Sequence, residues 1–191
     1  MLVLAIDTET TGLLPNEAAY ELWPHIVQFS FVLFDTATSE LTEHDYILRV
    51  PGDILTTYIH GITKEMSDRG IDFEETYDAF HAALEACDIV VGHNIEFDLK
   101  MIQAECVRRK KPFTMPSVRY CTMRENKERV GLLNPSGYLK YPKLVELYEH
   151  LFPEPAANCH NALSDAYMCL RCFLVTVVKK DSDMIRVRIH R

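Results

Sequence analysis

Residues 1–10, MLVLAIDTET, set an unbroken apolar run, Met1 to Ile6, directly before two carboxylates, Asp7 and Glu9. A short continuous run bounded by polar residues suits a strand buried on both faces. If the strand continues to Glu9, its period of two puts both carboxylates on one face. Two like charges side by side at a sheet end are costly without a cation. The other reading of the pair is a loop start with two solvated acids.

Residues 26–34 (IVQFSFVLF) predict a second strand and 44–50 a third, with 37–43 as the turn between them. Three strands on short links make a meander. The period then changes. Phe73, Tyr77, Phe80 and Leu84 describe an amphipathic helix over 73–86. Ile89–Gly92 reads as a short strand, 95–109 as a helix, 117–122 as a strand, and 142–151 as a helix opened by Pro142. A last helix is expected over about 161–178, and the alternating MIRVRIH at 184–190 fits an edge strand or a frayed tail. The order argues for an α/β protein, a mixed sheet with helices packed on it, in one domain over 1–180 with 181–191 as tail or edge strand. The Gly and Pro cluster at 131–142 reads as a loop, and 15–25 as an excursion that could face substrate, with Trp23 as core packing.

The chain has 191 residues, 48% hydrophobic and 25% charged, which excludes a disordered tail. No apolar run approaches the roughly eighteen residues of a membrane span, and the early carboxylates exclude a signal peptide. Twenty basic against 28 acidic residues give a net charge of -8, which argues against a non-specific duplex coater. The six cysteines sit mostly among apolar neighbours in the second half and read as buried free thiols, which places the chain in the cytoplasm or another reducing compartment. Cys169 and Cys172 form a lone C-x-x-C inside the last helix, with no second pair at zinc spacing.

Two further acids are out of place. Asp98 lies three residues after Ile95 and four before Ile102, beside the buried stripe of its helix, where it could bond a backbone amide or serve a site. Asn94 is placed to cap that helix. In CHNALSDA, His160 sits at the start of the last helix, and Asp165 falls within the apolar pattern of Leu163, Ala166 and Leu170. Asp165 could also be a first-turn acid favoured by the helix dipole. Together, four carboxylates and one histidine at strand ends and helix starts describe a hard oxygen-ligand site, suited to Mg²⁺ or Mn²⁺.

The segments DTETTGL (7–13), IHGIT (59–63), GHNIEFD (92–98) and HNALSDA (160–166) resemble those of the DEDDh exonucleases, in that order. This is the ribonuclease H-like group that includes the proofreading subunit of bacterial replicative DNA polymerase. The resemblance implies a ribonuclease H-like mixed five-stranded sheet flanked by helices. It also implies a 3′–5′ exonuclease that releases nucleoside 5′-monophosphates. Asp7, Glu9, Asp98 and Asp165 would hold two Mg²⁺, with Mn²⁺ able to substitute, and His160 would be the general base. An imidazole suits that work near neutrality. Thr10, Thr11, Gly12, Leu13, Ile59, His60, Asn94 and Phe97 would surround the terminal nucleotide, Leu13 as a wedge and Gly12 permitting a close turn. Arg108, Lys140 and Lys143 are candidate phosphate contacts. The expected substrate is single-stranded DNA or a frayed DNA 3′ end. The alternatives are short RNA, or a binding module of a polymerase or nuclease complex with weak or no catalysis. A polymerase partner or a homodimer fits the resemblance, and no membrane is expected.

Overall fold

The computed structural model describes residues 1–13 and 19–190. Strand β1 (Leu2–Thr10) runs through the middle of a five-stranded sheet of order β3-β2-β1-β4-β5. β2 (Ile26–Asp35) and β3 (Leu41–Ile47) follow it as an antiparallel meander. β4 (Ile89–Gly92) joins its other edge in parallel, and β5 (Arg119–Cys121) extends the sheet from β4. Helices α1 (Thr57–His60), α2 (Lys64–Asp68) and α3 (Phe73–Ala86) separate β3 from β4, and α4 (Ile95–Arg108) separates β4 from β5. The chain closes with α5 (Thr122–Glu125), α6 (Lys127–Val130), α7 (Leu144–Leu151), α8 (Ala162–Phe173) and α9 (Asp183–Ile189). A wide helical turn, Leu174–Val178, continues α8.

β1 is apolar without alternation because both its faces are covered. Val3 and Ala5 pack with Leu147, Tyr167 and Phe173 of α7 and α8, while Leu4 and Ile6 pack with Phe80 of α3 and Leu99 of α4. The side chains of positions 3, 5, 7 and 9 therefore face α8, and those of 4, 6 and 8 face α4. α3 has the expected bounds, and its start is closed by Glu75, whose carboxylate accepts from the Asp72 N–H at 2.9 Å. At the end of β4, a Cβ on Gly92 would lie 2.5 Å from Ile95 Cδ1 and 3.1 Å from its Cβ, so a larger residue here would force Ile95 to shift where the strand turns into α4.

Three expectations are corrected. β3 lies at Leu41–Ile47 rather than 44–50: its pairing with β2 begins at Leu41, opposite Phe34, and after Ile47 the chain turns to bridge Ile71 at Leu48. Asn94 is the N-cap residue of α4 but makes no side-chain cap: its backbone is left-handed (φ 68°), and its carbonyl instead accepts from Phe97 N–H at 2.8 Å. Residues 183–189 form helix α9, not an edge strand, with Ile185 and Ile189 fully buried against the α8 side of the core. Arg171 of α8, itself buried, anchors the approach to α9 by binding Asp181 through two nitrogens at 2.8 Å. Ile185→Ala is expected to cost about 2–5 kcal/mol in denaturant unfolding. Val187→Ala, on the exposed side, should stay within about 0.5 kcal/mol. Equal effects would mean that α9 is not docked in solution.

Within the described residues no helix is long and apolar enough to cross a membrane. Of the six free cysteines, Cys106, Cys121, Cys169 and Cys172 are buried, and Cys87 and Cys159 half-buried. Trp23 is half-buried and packs on the Leu4/Ile6 side, edge-on to Tyr20. Part of the 15–25 excursion, residues 15–18, lies outside the described residues.

Candidate active site

The alternation of β1 sends Asp7 and Glu9 toward α8 and Thr8 toward α4. A bulge follows: Glu9 pairs with Gln28, but Thr10 pairs with Ile26. Bulges of this kind re-aim side chains at strand ends. On the α8 side, Asn161 caps the helix, its Oδ1 accepting from Ser164 N–H at 3.1 Å, and so places Asp165 in the first turn. His160 precedes the cap in a left-handed conformation (φ 65°), is exposed, and donates its N–H to Asp165 Oδ2 at 3.3 Å. One ligand atom each from Glu9, His160 and Asp165 falls within 4.8 Å of the others. Asp7, His160 and Asp165 open onto a cavity of about 700 Å³.

Asp98 approaches from the α4 side. It is 2% exposed, and its Oδ1 accepts from both Thr8 N–H (3.0 Å) and Thr8 Oγ1–H (2.8 Å). Burial drives Asp7 well above the ordinary carboxylate range, and the charges of Asp98, Asp165 and Glu9 add to it. Burial, then the charges of Asp165 and Asp98, push Glu9 up to about 7. Burial also lifts Asp98 to about 7 against the Thr8 hydrogen bonds, and Asp165 to about 7 against the His160 N–H. Asp165 Oδ1 is buried and, among the described residues, has no hydrogen-bond partner. Four acids that resist ionising together, an orphaned carboxylate oxygen and an imidazole fit a hard divalent cation.

The residues expected around a terminal nucleotide divide. Leu13 stands 83% exposed, and Ile59 42%. Thr10 and Thr11 are turned to the protein: Thr10 Oγ1 donates to the Gly12 carbonyl (2.6 Å), and Thr11 Oγ1 accepts from His25 N–H (2.9 Å). Gly12 needs no special backbone, since an added Cβ would meet Pro24 at an ordinary 3.4 Å. His60 uses both ring nitrogens internally. Its Nδ1 accepts from Ile62 N–H (3.1 Å), so Nε2 donates to Thr56 Oγ1 (3.0 Å), which in turn donates to the Thr10 carbonyl (2.6 Å). His60 thus braces the end of β1. Phe97 is half-buried on the Leu4/Ile6 side, and Asn94 serves the turn into α4.

The phosphate candidates also divide. Arg108 sits at the far end of α4 from Asp98, about 15 Å along the axis. Its guanidinium is turned inward, ion-paired with Glu105 (2.7 Å) and bonded to the carbonyls of Trp23 and Pro24, so the structure does not bring it to the site. Lys140 is held by Glu146 at 2.6 Å. Lys143 is exposed and lines the cavity of Asp7 and His160.

Three positioning residues escaped the sequence reading. Thr8 holds Asp98 as described. Gln28, 2% exposed, accepts from Ala162 N–H at the start of α8 (3.1 Å) and donates to Asp45 (2.8 Å), which ties His160 and Asp165 to the sheet. His93 links Thr122 to the carbonyl of Pro142, at 3.0 Å each. The signal for Gln28 was present: a lone amide inside the apolar IVQFSF. Thr8→Val should lower activity about 10–100-fold, the usual cost of removing a partner of a ligating carboxylate. The loss should shrink at high divalent-ion concentration. Unchanged kinetics at limiting metal would remove Thr8 from the site.

The sequence model of the family described as Exonuclease (RNase_T) matches residues 4–173. No curated protein matches significantly. Among solved structures, the nuclease domain of 3′hExo, described as a DEDDh family member bound to rAMP, superposes with a TM-score of 0.63 at 15% identity, covering 94% of this chain and 93% of that one. A 3′-exonuclease described in 3′-end recognition of a histone mRNA stem-loop gives 0.68 at 15% identity, with 94% and 83% covered. Cell-death related nuclease 4 gives 0.64 at 14% identity, with 94% and 64% covered. The mixed five-stranded sheet flanked by helices is thus the ribonuclease H-like exonuclease fold.

Proposed function

We propose, from the premise that this chain belongs to the RNase_T exonuclease family, that it removes nucleotides one at a time from single-stranded or frayed 3′ ends and releases nucleoside 5′-monophosphates. The observation that carries the reading is the meeting of Asp7, Asp165 and His160 in one cavity, with a buried, unpartnered carboxylate oxygen among four raised acids. Asp7, Glu9, Asp98 and Asp165 would hold two Mg²⁺ or Mn²⁺. When bound, such cations supply Lewis-acid stabilisation of the charge that develops on the phosphoryl oxygens. His160, exposed at the lip, takes the proton from the attacking water as the bond to the 3′ oxygen breaks. The fixed tail of β1, braced by Thr56 and His60, supports the terminal sugar, and Leu13 parts the last base from its neighbour. The free thiols support a reducing compartment.

DNA is the substrate expected from the resemblance to proofreading subunits. A second reading, RNA, is favoured by the fold's likeness to nucleases described with rAMP and with an mRNA stem-loop. The test is product analysis on matched 5′-labelled DNA and RNA strands, with Mg²⁺, Mn²⁺ or chelator. A metal-dependent ladder from the 3′ end is expected, and the relative rates choose the sugar. Tight binding with no ladder in either metal would favour the binding module. Lys143→Ala should weaken strand binding and flatten the log–log salt dependence by about 0.7. Lys140→Ala, already neutralised by Glu146, should leave the slope in place. A slope unchanged in both variants would take Lys143 off the contact surface.

A further inference from the structure

The cavity of Asp7, His160 and Asp165 continues into a segment that the hydrolytic chemistry does not use: Tyr141, Pro142 and Lys143, just before α7. A second cavity, of about 440 Å³, lies beyond Cys159 and His160, which line both, and its wall includes His60. His160 therefore stands between two openings. One lies on the side of His60 and the braced end of β1, where the terminal nucleoside goes in the reading above. The rest of the strand must leave by the other, past Tyr141.

That exit is a built surface. Tyr141 is 51% exposed, with the Lys127 ammonium 4.7 Å from its ring centroid. The segment is pinned from beneath. Burial pushes His93 down to about 4, so its ring is neutral near pH 7. A carbonyl can only accept, so His93 Nε2 carries the proton and donates to Pro142 O, while Nδ1 accepts from Thr122 Oγ1. Tyr141 and Lys143 flank this pinned proline. Glu146 also lines the cavity, but its carboxylate is occupied by Lys140 Nζ and by Lys143 N–H. The Glu146 charge also reaches the Lys143 ammonium, but among the described residues no acid forms a salt bridge with it, Glu146 being in contact with Lys140.

We propose that Tyr141 and Lys143 form a subsite for the strand just behind the terminal nucleotide, the tyrosine stacking a base and the lysine meeting its phosphate. The proposal rests on the 3′-exonuclease reading and deepens it. Every base has a face to stack, so the subsite is indifferent to sequence. It requires an unpaired base, because a base within a duplex cannot lie on the ring. Single-strand selectivity is then set behind the scissile bond as well as at Leu13.

The test uses oligonucleotides carrying one stable abasic residue at the second, third or fourth position from the 3′ end, read by kcat/KM and by Kd. In the wild type, the abasic residue at one of these positions should cost about tenfold, mainly in KM. Tyr141→Ala should cost about tenfold on the intact strand and show no further abasic penalty at that position. Tyr141→Phe should behave as wild type. An abasic penalty in Tyr141→Ala equal to that in wild type at all three positions, or none in wild type, overturns the subsite. A wild-type chain that binds but cuts nothing overturns the nuclease reading instead, while the Kd series still decides the subsite.

Discussion

Asp7→Asn should stop hydrolysis and, at the same time, make the metal-free protein more stable. Asp7 sits in the middle of the acidic cluster: it is half-buried at the cavity wall, and desolvation and the charges of Asp98, Asp165 and Glu9 all raise it. The amide keeps its size and removes a charge that the fold holds only against burial and three like neighbours. Lewis-acid stabilisation is worth several kcal/mol, so losing this ligand should cost at least about 10³-fold in kcat. The melting temperature in chelator at pH 8 should rise. Natural active sites commonly trade stability for charge of this kind. Rates on a labelled strand, and melting with chelator, test both halves. A variant that still cuts at the wild-type rate in Mg²⁺ sinks the site; one that melts lower than wild type in chelator sinks the electrostatic account.

The same cluster explains what could be read from the sequence. Asp7, Asp98 and Asp165 were legible because each interrupts an apolar pattern, and a buried acid is rare enough to demand a reason. β1 and α3 were legible because their burial is local: a run covered on both faces, and a stripe at helical spacing. Thr8 and His93 were not, because their partners, Asp98 and Pro142, are far away in sequence and nothing in a threonine or a histidine names its partner; Gln28 stood out as a lone amide in an apolar run, but its partner Ala162 did not. The tail failed for a different reason. MIRVRIH alternates, yet Ile185 and Ile189 are also four apart, and seven residues cannot separate a period of two from one of 3.6. The packing surface beside α8 decided for the helix. Arg108 shows the opposite error: a basic run was legible, but Glu105, buried at 1% exposure, had already claimed it.

Divalent metal should stabilise this protein strongly at pH 8 and weakly at pH 5.5. Glu9, Asp98 and Asp165 lie near 7 in the folded chain and return to about 4 when unfolded. Between those values the folded state holds more protons, so the stability these groups allow is complete below about pH 4 and is lost as pH rises through about 7. Acids lowered by partners, such as Glu105 with His25, Arg108 and Arg109, have the opposite sign: their contribution is present above the unfolded carboxylate value and is lost only in acid. Buried histidines such as His93, held near 4 in the folded chain, also change stability between pH 5.5 and 8, so the difference between metal and chelator at each pH is what isolates the site. Ions bind the ionised carboxylates and compete with the protons that relieve them. An ion at about 100 times its Kd adds about 2.7 kcal/mol, or about 5–10 °C in Tm for a chain of this size. Melting curves with Mg²⁺, Mn²⁺ or chelator at the two pH values should give that gain at pH 8 and little at pH 5.5. A gain independent of pH, or one that survives in Asp165→Asn, would mean that the ions bind elsewhere and that the raised acids belong to the fold alone.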